Sequence, residues 1–210
     1  MSLYRPETKM KVVTLNIPGK TTVTSKNRCD LERTPKWVKR NREIGNLGEY
    51  IAELYLQKSK RLDNVYLVAE DSDDCGYDIL AFLYGKEVFY EVKTTTISPG
   101  NSIDFFITQN ELSFAEAKGD AYAVFYIQID EKKNEATGRI IHNIFSKIGP
   151  FLPIHGKISD EVSVLTEQYR ITLHITDEYS PINLSDEMAA ILFKVKTLID
   201  SGVKVGADVN

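Results

Sequence analysis

The chain reads as an α/β protein with a mixed central sheet flanked by helices, and three features carry that reading. Ile44, Leu47, Ile51, Leu54 and Tyr55 recur at spacings of three and four, the stripe of an amphipathic helix. Residues 77–84 and 87–94 are strand-like runs separated by Gly85-Lys86, a two-residue hairpin turn. Residues 121–129 are almost continuously apolar, as in a strand covered on both faces. A hairpin beside such a strand, with helices before and after, predicts an α/β sandwich rather than a parallel Rossmann sheet.

The elements follow in order. Residues 1–35 read as an appendage, with a short strand over 11–17 and a turn at Pro18-Gly19-Lys20. The first helix opens at Thr34, placed as a cap, with Pro35 in the first turn. It runs to about residue 60, with breaks expected near Gly45 and Gly48. A short strand over 65–69 leads into an acidic, turn-prone loop over 70–76, and 103–107 form another strand after the hairpin. A helix over 108–118 is capped by Thr108, with Glu111 at the reciprocal position of a capping box. Further strands are expected over 139–145 and 169–175, a helix over 185–199, and a frayed end from Gly202. The organisation is thus an appendage (1–35), a core (36–130), and C-terminal strands and a helix (131–210) that complete or extend it.

Composition sets bounds on function. At 42% hydrophobic and 27% charged residues the chain is of ordinary globular make-up. No apolar run approaches the roughly 20 residues of a membrane span, and no secretory pattern is evident. Cys29 and Cys75 give neither a disulfide framework nor a zinc spacing, which points to a reduced, cytoplasmic setting. The net charge of −4 is unevenly spread: residues 1–60 carry +7 and the remainder −11. Lys36, Lys39, Arg40 and Arg42 stand at the start of the first helix. They read as a solvated face or as a phosphate-contacting edge, since binding a polyanion depends on local cations.

The chemistry sits on the hairpin. With Gly85 and Lys86 as the loop, Leu80 faces Glu91 and Asp78 faces Lys93, so Asp78, Glu91 and Lys93 share one face. Asp78 and Glu91 are then diagonal neighbours, roughly 7–8 Å apart at the backbone. A three-residue loop would turn Asp78 to the other face. Magnesium takes one or two carboxylates and keeps several waters and phosphate oxygens. Lys93 beside that ion could orient or deprotonate a water. Glu-x-Lys alone also suits a solvated sheet face; the weight rests on its combination with Asp78, the turn, and flanking strands apolar enough to be interior.

Gly45-x-x-Gly48-Glu49, Gly76-Tyr77-Asp78-Ile79, Glu91-Val92-Lys93-Thr94-Thr95 and Phe106-Ile107-Thr108-Gln109-Asn110-Glu111 together resemble the PD-(D/E)xK phosphodiesterase superfamily. That superfamily includes Mrr-type restriction endonucleases, and the motifs most closely resemble the domain at the C-terminus of the NO VEIN protein. The resemblance covers roughly residues 41–130 and implies a restriction-endonuclease-like sheet flanked by helices, Mg2+ binding (with Mn2+ as a substitute) and DNA as partner. It matches Asp78 and Glu91 to the metal ligands, with Val92 counted among them, and Lys93 to the catalytic lysine. Glu49 matches the acid on the first helix. Thr94, Thr95, Gln109 and Asn110, with Lys36, Lys39, Arg40 and Arg42, are candidate nucleic-acid contacts. Gln109, Asn110 and Glu111 read equally well as helix-start residues, and the threonines as ordinary strand residues. Tyr77 stands where the superfamily's motif has proline. The implied activity is metal-dependent DNA cleavage in a restriction, defence or repair system; symmetric cuts in duplex DNA need two sites, so a homodimer or larger complex is the expected form. The alternative is a module that keeps the fold and binds DNA or a protein without catalysis.

Other chemistries fit less well. His142, His155 and His174 have no zinc spacing, and Gly19-Lys20-Thr21 lacks the earlier glycine of a P-loop. Trp37, Tyr84, Phe89 and Tyr90 could stack on bases, though core packing suits them better.

Overall fold

The computed structural model describes residues 22–23, 36–68, 75–96, 102–152, 156–157, 163–164 and 168–200. The expected strand over 11–17, the Thr34-Pro35 start, most of the acidic loop, Cys29, His155 and the tail from Gly202 lie outside the described residues.

The strands are β1 (Thr22–Val23), β2 (Leu62–Leu67), β3 (Ile79–Leu83), β4 (Lys86–Thr95), β5 (Ser102–Thr108), β6 (Tyr122–Asp130), β7 (Glu135–His142), β8 (Gly156–Lys157), β9 (Ser163–Val164), β10 (Gln168–His174) and β11 (Ile182–Asn183). The helices are α1 (Lys36–Gln57), α2 (Gln109–Lys118), α3 (Ile144–Ile148) and α4 (Ser185–Asp200). Six strands form a mixed sheet in the order β11-β7-β6-β4-β3-β2, in which β4 and β6 run parallel and the other pairs antiparallel. A second sheet, β1-β10-β5, is antiparallel. β8 pairs with β9. Among the described residues no helix is long and apolar enough to cross a membrane.

The run over 121–129 is apolar because both faces of β6 are covered. Ala123, Phe125, Ile127 and Ile129 join Ile51, Ala52 and Leu56 of α1 and Met188 of α4 in one core. Tyr122, Val124 and Tyr126 join Ile103, Phe105 and Ile107 of β5, Tyr169 and Ile171 of β10 and Leu112 and Ala115 of α2 in the other. Each large side chain fully buried here contributes about 1.5–3 kcal/mol. β4 divides between the two cores by alternation: Tyr90 and Val92 face α1, while Phe89 faces β5 and α2.

Three expectations are corrected. Helix α1 is continuous through Gly45 and Gly48. A Cβ on Gly48 would lie 1.8 Å from the Thr94 hydroxyl oxygen, so this glycine lets α1 lie against β4 rather than breaking the helix. The hairpin loop is Tyr84-Gly85, not Gly85-Lys86: Leu83 pairs with Lys86, and both loop residues have positive φ (51° and 75°). That is the combination a type I′ turn requires, with glycine as its second residue. The strand expected over 139–145 ends at His142, because Asn143 caps α3, accepting the Ser146 N–H at 3.2 Å.

Candidate functional site

Moving the loop by one residue moves the register by two, so side-chain parity survives. With Ile79 opposite Tyr90, the next step along the ladder sets Asp78 across from Glu91 rather than diagonal to it. Asp78 is anchored on three sides. Its N–H donates to the Tyr90 carbonyl at 2.9 Å, its carbonyl accepts from Val68 N–H at 2.7 Å, and its Oδ2 accepts from Val92 N–H at 2.7 Å. Tyr122 Oη donates to the Gly76 carbonyl at 3.3 Å and so fixes the chain just before Asp78. The side chains of Tyr77, Phe89, Phe114 and Tyr122 form a contiguous aromatic wall beside the site, with ring centroids 4.9–6.0 Å apart.

Glu91 is 4% exposed. Its Oε1 accepts from Lys93 Nζ at 2.6 Å, and the same ammonium donates to Glu111 Oε2 at 2.9 Å. Glu111 also accepts the Thr108 N–H at 3.0 Å while Thr108 Oγ1 accepts the Glu111 N–H at 3.2 Å, the complete capping box expected from the sequence. One carboxylate therefore both starts α2 and holds Lys93. The sequence signalled its capping role and a place at the start of the helix near the site, but not the Lys93 contact, which spans 18 positions and depends on how α2 packs.

Burial drives the electrostatics. It holds the Asp78 carboxyl above its ordinary range, opposed by the Val92 N–H, by Lys93 and by a side-chain hydrogen bond with Glu91. It raises Glu91 well above the usual carboxylate range, with Lys93 opposing and Glu111 and Asp78 reinforcing. Burial of Lys93 pulls the other way, but Glu91 and Glu111 together outweigh it and keep the ammonium more basic than an ordinary lysine. Three carboxylates share one ammonium, so when all are ionised the cluster carries two excess negative charges. Paired buried acids of this kind share a proton or hold a cation.

The structure brings together Asp78, Glu91 and Lys93, with Glu111 added. Val92 has no side-chain ligand and its isopropyl group is buried on the α1 side, so a metal could use only its main chain. Glu49 lies on α1, which covers the opposite face of β4, beside Gly48. Among the described residues no three His, Cys, Asp or Glu side chains converge as a metal-holding group. The two-carboxylate pair nonetheless suits magnesium, which retains water and substrate oxygens.

The proposed nucleic-acid contacts separate. Thr94 points beneath α1, on the face of β4 opposite Lys93, its hydroxyl buried and without a hydrogen-bond partner among the described residues. Thr95 is half-buried on the Lys93 face. Gln109 accepts from Tyr169 Oη at 2.8 Å and donates to Ser113 Oγ at 3.1 Å, so it is committed to packing α2 against β10. Asn110 is exposed in the first turn of α2. Arg40 pairs with Glu131 at 2.5 Å on the surface, and Arg42 is exposed. Lys36 and Lys39 begin α1, and their side chains, like that of Trp37, lie outside the described residues. His142 and His174 are exposed, as is Tyr84, while Phe89 and Tyr90 belong to the cores.

No curated protein matches the chain. Among solved structures, the Holliday junction resolvase Hjc of Archaeoglobus fulgidus is similar at 12% identity and a TM-score of 0.36, over 69% of this chain and 95% of that one. Residues 48–140, from Gly48 of α1 through Asp78, Glu91, Lys93 and Glu111 into β7, match the family model of the C-terminal domain of protein NO VEIN.

Proposed function

We propose that this chain is a Mg2+-dependent endonuclease of the PD-(D/E)xK type, hydrolysing DNA phosphodiester bonds in a restriction, defence or repair setting, with the Mrr-type enzymes as the subtype its motifs resemble. The observation that carries the reading is the buried Asp78–Glu91 pair on the same face as Lys93, in a cluster of three carboxylates with Glu111 that one ammonium cannot neutralise when all are ionised. Asp78 and Glu91, with the main chain of Val92, would hold the ion; Glu49 is assigned to the set by the motif alone, since α1 packs on the other face of β4. When bound, Mg2+ polarises the phosphate and lowers the pKa of a water molecule.

The protein's own groups do the rest. Lys93 donates to both Glu91 and Glu111, so its work is to orient the attacking water and the phosphate by charge and hydrogen bonding. Glu111 sets the direction of that ammonium from the rigid start of α2. The aromatic wall keeps water from the inner side of the carboxylates, which strengthens each charge interaction there.

The test is nicking of supercoiled plasmid with Mg2+ by the wild type, Asp78→Ala and Lys93→Ala. Mg2+-dependent nicking is expected from the wild type, with a loss of about 100-fold or more in each variant. Equal nicking by all three would assign the activity to a contaminant.

A second reading, a non-catalytic module that binds DNA or a protein, has one observation in its favour. Lys93 already bridges Glu91 and Glu111, so that part of the network is closed without a cation. Calorimetry with Mg2+ and Mn2+ separates the two: DNA affinity with no metal uptake supports the module.

A further inference from the structure

Across the central sheet the registers align one row of side chains on the face that carries the site. Lys93 of β4 pairs with Tyr126 of β6, and Tyr126 with Arg139 of β7. Tyr126 lies in the core beneath β5, so its two neighbours in the row share its side of the sheet. With adjacent strands about 4.8 Å apart, Arg139 stands about 10 Å from Lys93 at the backbone. The next row, Thr95, Gln128 and Thr137, is half-buried and wholly polar. The apolar floor of this face thus ends at Tyr126, and a polar shelf begins at the C-terminal ends of the parallel strands. Ligands collect at that end of parallel strands in open α/β sheets.

Arg139 is the anomaly on this shelf. Its Nε and Nη1 are buried and have no hydrogen-bond partner among the described residues, while the residue as a whole is only half-buried. Beside it stands Tyr126, a phenol whose pKa burial raises and which stays neutral. Unpaired buried donors on a charged group are costly and call for a partner from outside the chain. A guanidinium is matched in shape and charge by phosphate oxygens.

We propose that Arg139 is a phosphate contact of the same site, holding a nucleic-acid backbone phosphate on the shelf two strands away from Lys93. This rests on the nuclease reading and names a residue that its motifs do not contain. Arg139 spends stability in the free protein to supply a preplaced cation when the polyanion arrives.

The experiment measures binding of a fluorescein-labelled 20-base-pair duplex by the full chain, without divalent metal, across a series of NaCl concentrations. Thermal unfolding of the same proteins without DNA is recorded alongside. Arg139→Met is expected to bind about tenfold more weakly and to lose about one unit of the slope of log K against log salt, the signature of one phosphate contact. Its unfolding midpoint is expected to equal or exceed that of the wild type, since an unpaired buried charge has been replaced by an apolar chain of similar length. Arg139→Gln carries the same binding expectation and serves if Arg139→Met does not fold. Arg170→Met, which removes an exposed guanidinium 3.9 Å from Asp104, is expected to leave the slope unchanged.

An unchanged affinity and slope in folded Arg139 variants would overturn the proposal, as would an equal loss in Arg170→Met or failure of both Arg139 variants to fold. If the slope falls as expected but the wild type shows no Mg2+-dependent nicking, the catalytic reading fails and Arg139 stands as a nucleic-acid contact. A wild type with no affinity for the duplex overturns both.

Discussion

Asp78 shows how one residue couples stability to function. Burial raises its carboxyl and that of Glu91, so the unfolded chain ionises at a lower pH than the folded one. Below the ordinary carboxylate range the associated stability is fully present; it is lost as pH rises through the raised folded values. The metal-free protein is therefore expected to weaken from about pH 4 upward. A divalent cation, which favours the ionised forms, is expected to reverse that trend. Asp78→Asn keeps an oxygen for the Val92 N–H and removes the charge. In EDTA at neutral pH its thermal midpoint is expected to exceed that of the wild type by a few degrees, the effect of about 1 kcal/mol in a chain of this size. The difference should vanish toward pH 4, and Mg2+ should stabilise the wild type alone. A variant less stable than the wild type in EDTA would mean that the Val92 bond, not the buried charge, dominates at this position.

At the scale of elements, the seam between α1 and β4 positions the site from behind. Gly48 admits the Thr94 side chain, and α1 seals the face of β4 opposite Glu91 and Lys93. Gly48→Ala is expected to cost about 1–3 kcal/mol by overpacking, read as a lower urea midpoint, and Thr94→Ala in the same chain should restore part of it. Full stability in Gly48→Ala would show that α1 can move off the strand without penalty. This seam also marks what the sequence made legible. Alternation alone placed Asp78, Glu91 and Lys93 on one face, and it did so although the turn was set one residue late, because a two-residue change of register keeps parity. The same alternation puts Thr94 on the far face and Thr95 on that of Lys93. Glu111 was visible as a cap and invisible as a partner of Lys93, since capping is local and the ion pair depends on how a crossover packs.

For the molecule as a whole, the strand periods and both long helices could be read locally, whereas the pairing of sheets could not. β5 comes between the parallel strands β4 and β6, yet its described strand partner is β10, some 60 positions later, and β10 in turn pairs with β1 near the start. Nothing in residues 102–108 advertises that partner, because any amphipathic strand would satisfy their alternation. This pairing has a consequence in time. Thr108, the last residue of β5 and the cap of α2, sits opposite Gln168, so the carboxylate that steadies Lys93 hangs from a ladder whose second rail is synthesised late. As the chain leaves the ribosome, the central sheet through β7 can assemble while one face of Tyr122, Val124 and Tyr126 still lacks β10 above it. A chain stopped at residue 160 is expected to bind a hydrophobic dye and to gain no stability from Mg2+, while the 210-residue chain does the reverse. A truncated chain that is compact, dye-negative and metal-stabilised would show that β5 docks unaided. The ladder thus acts as a clock: the charges meet only after β10 has been made.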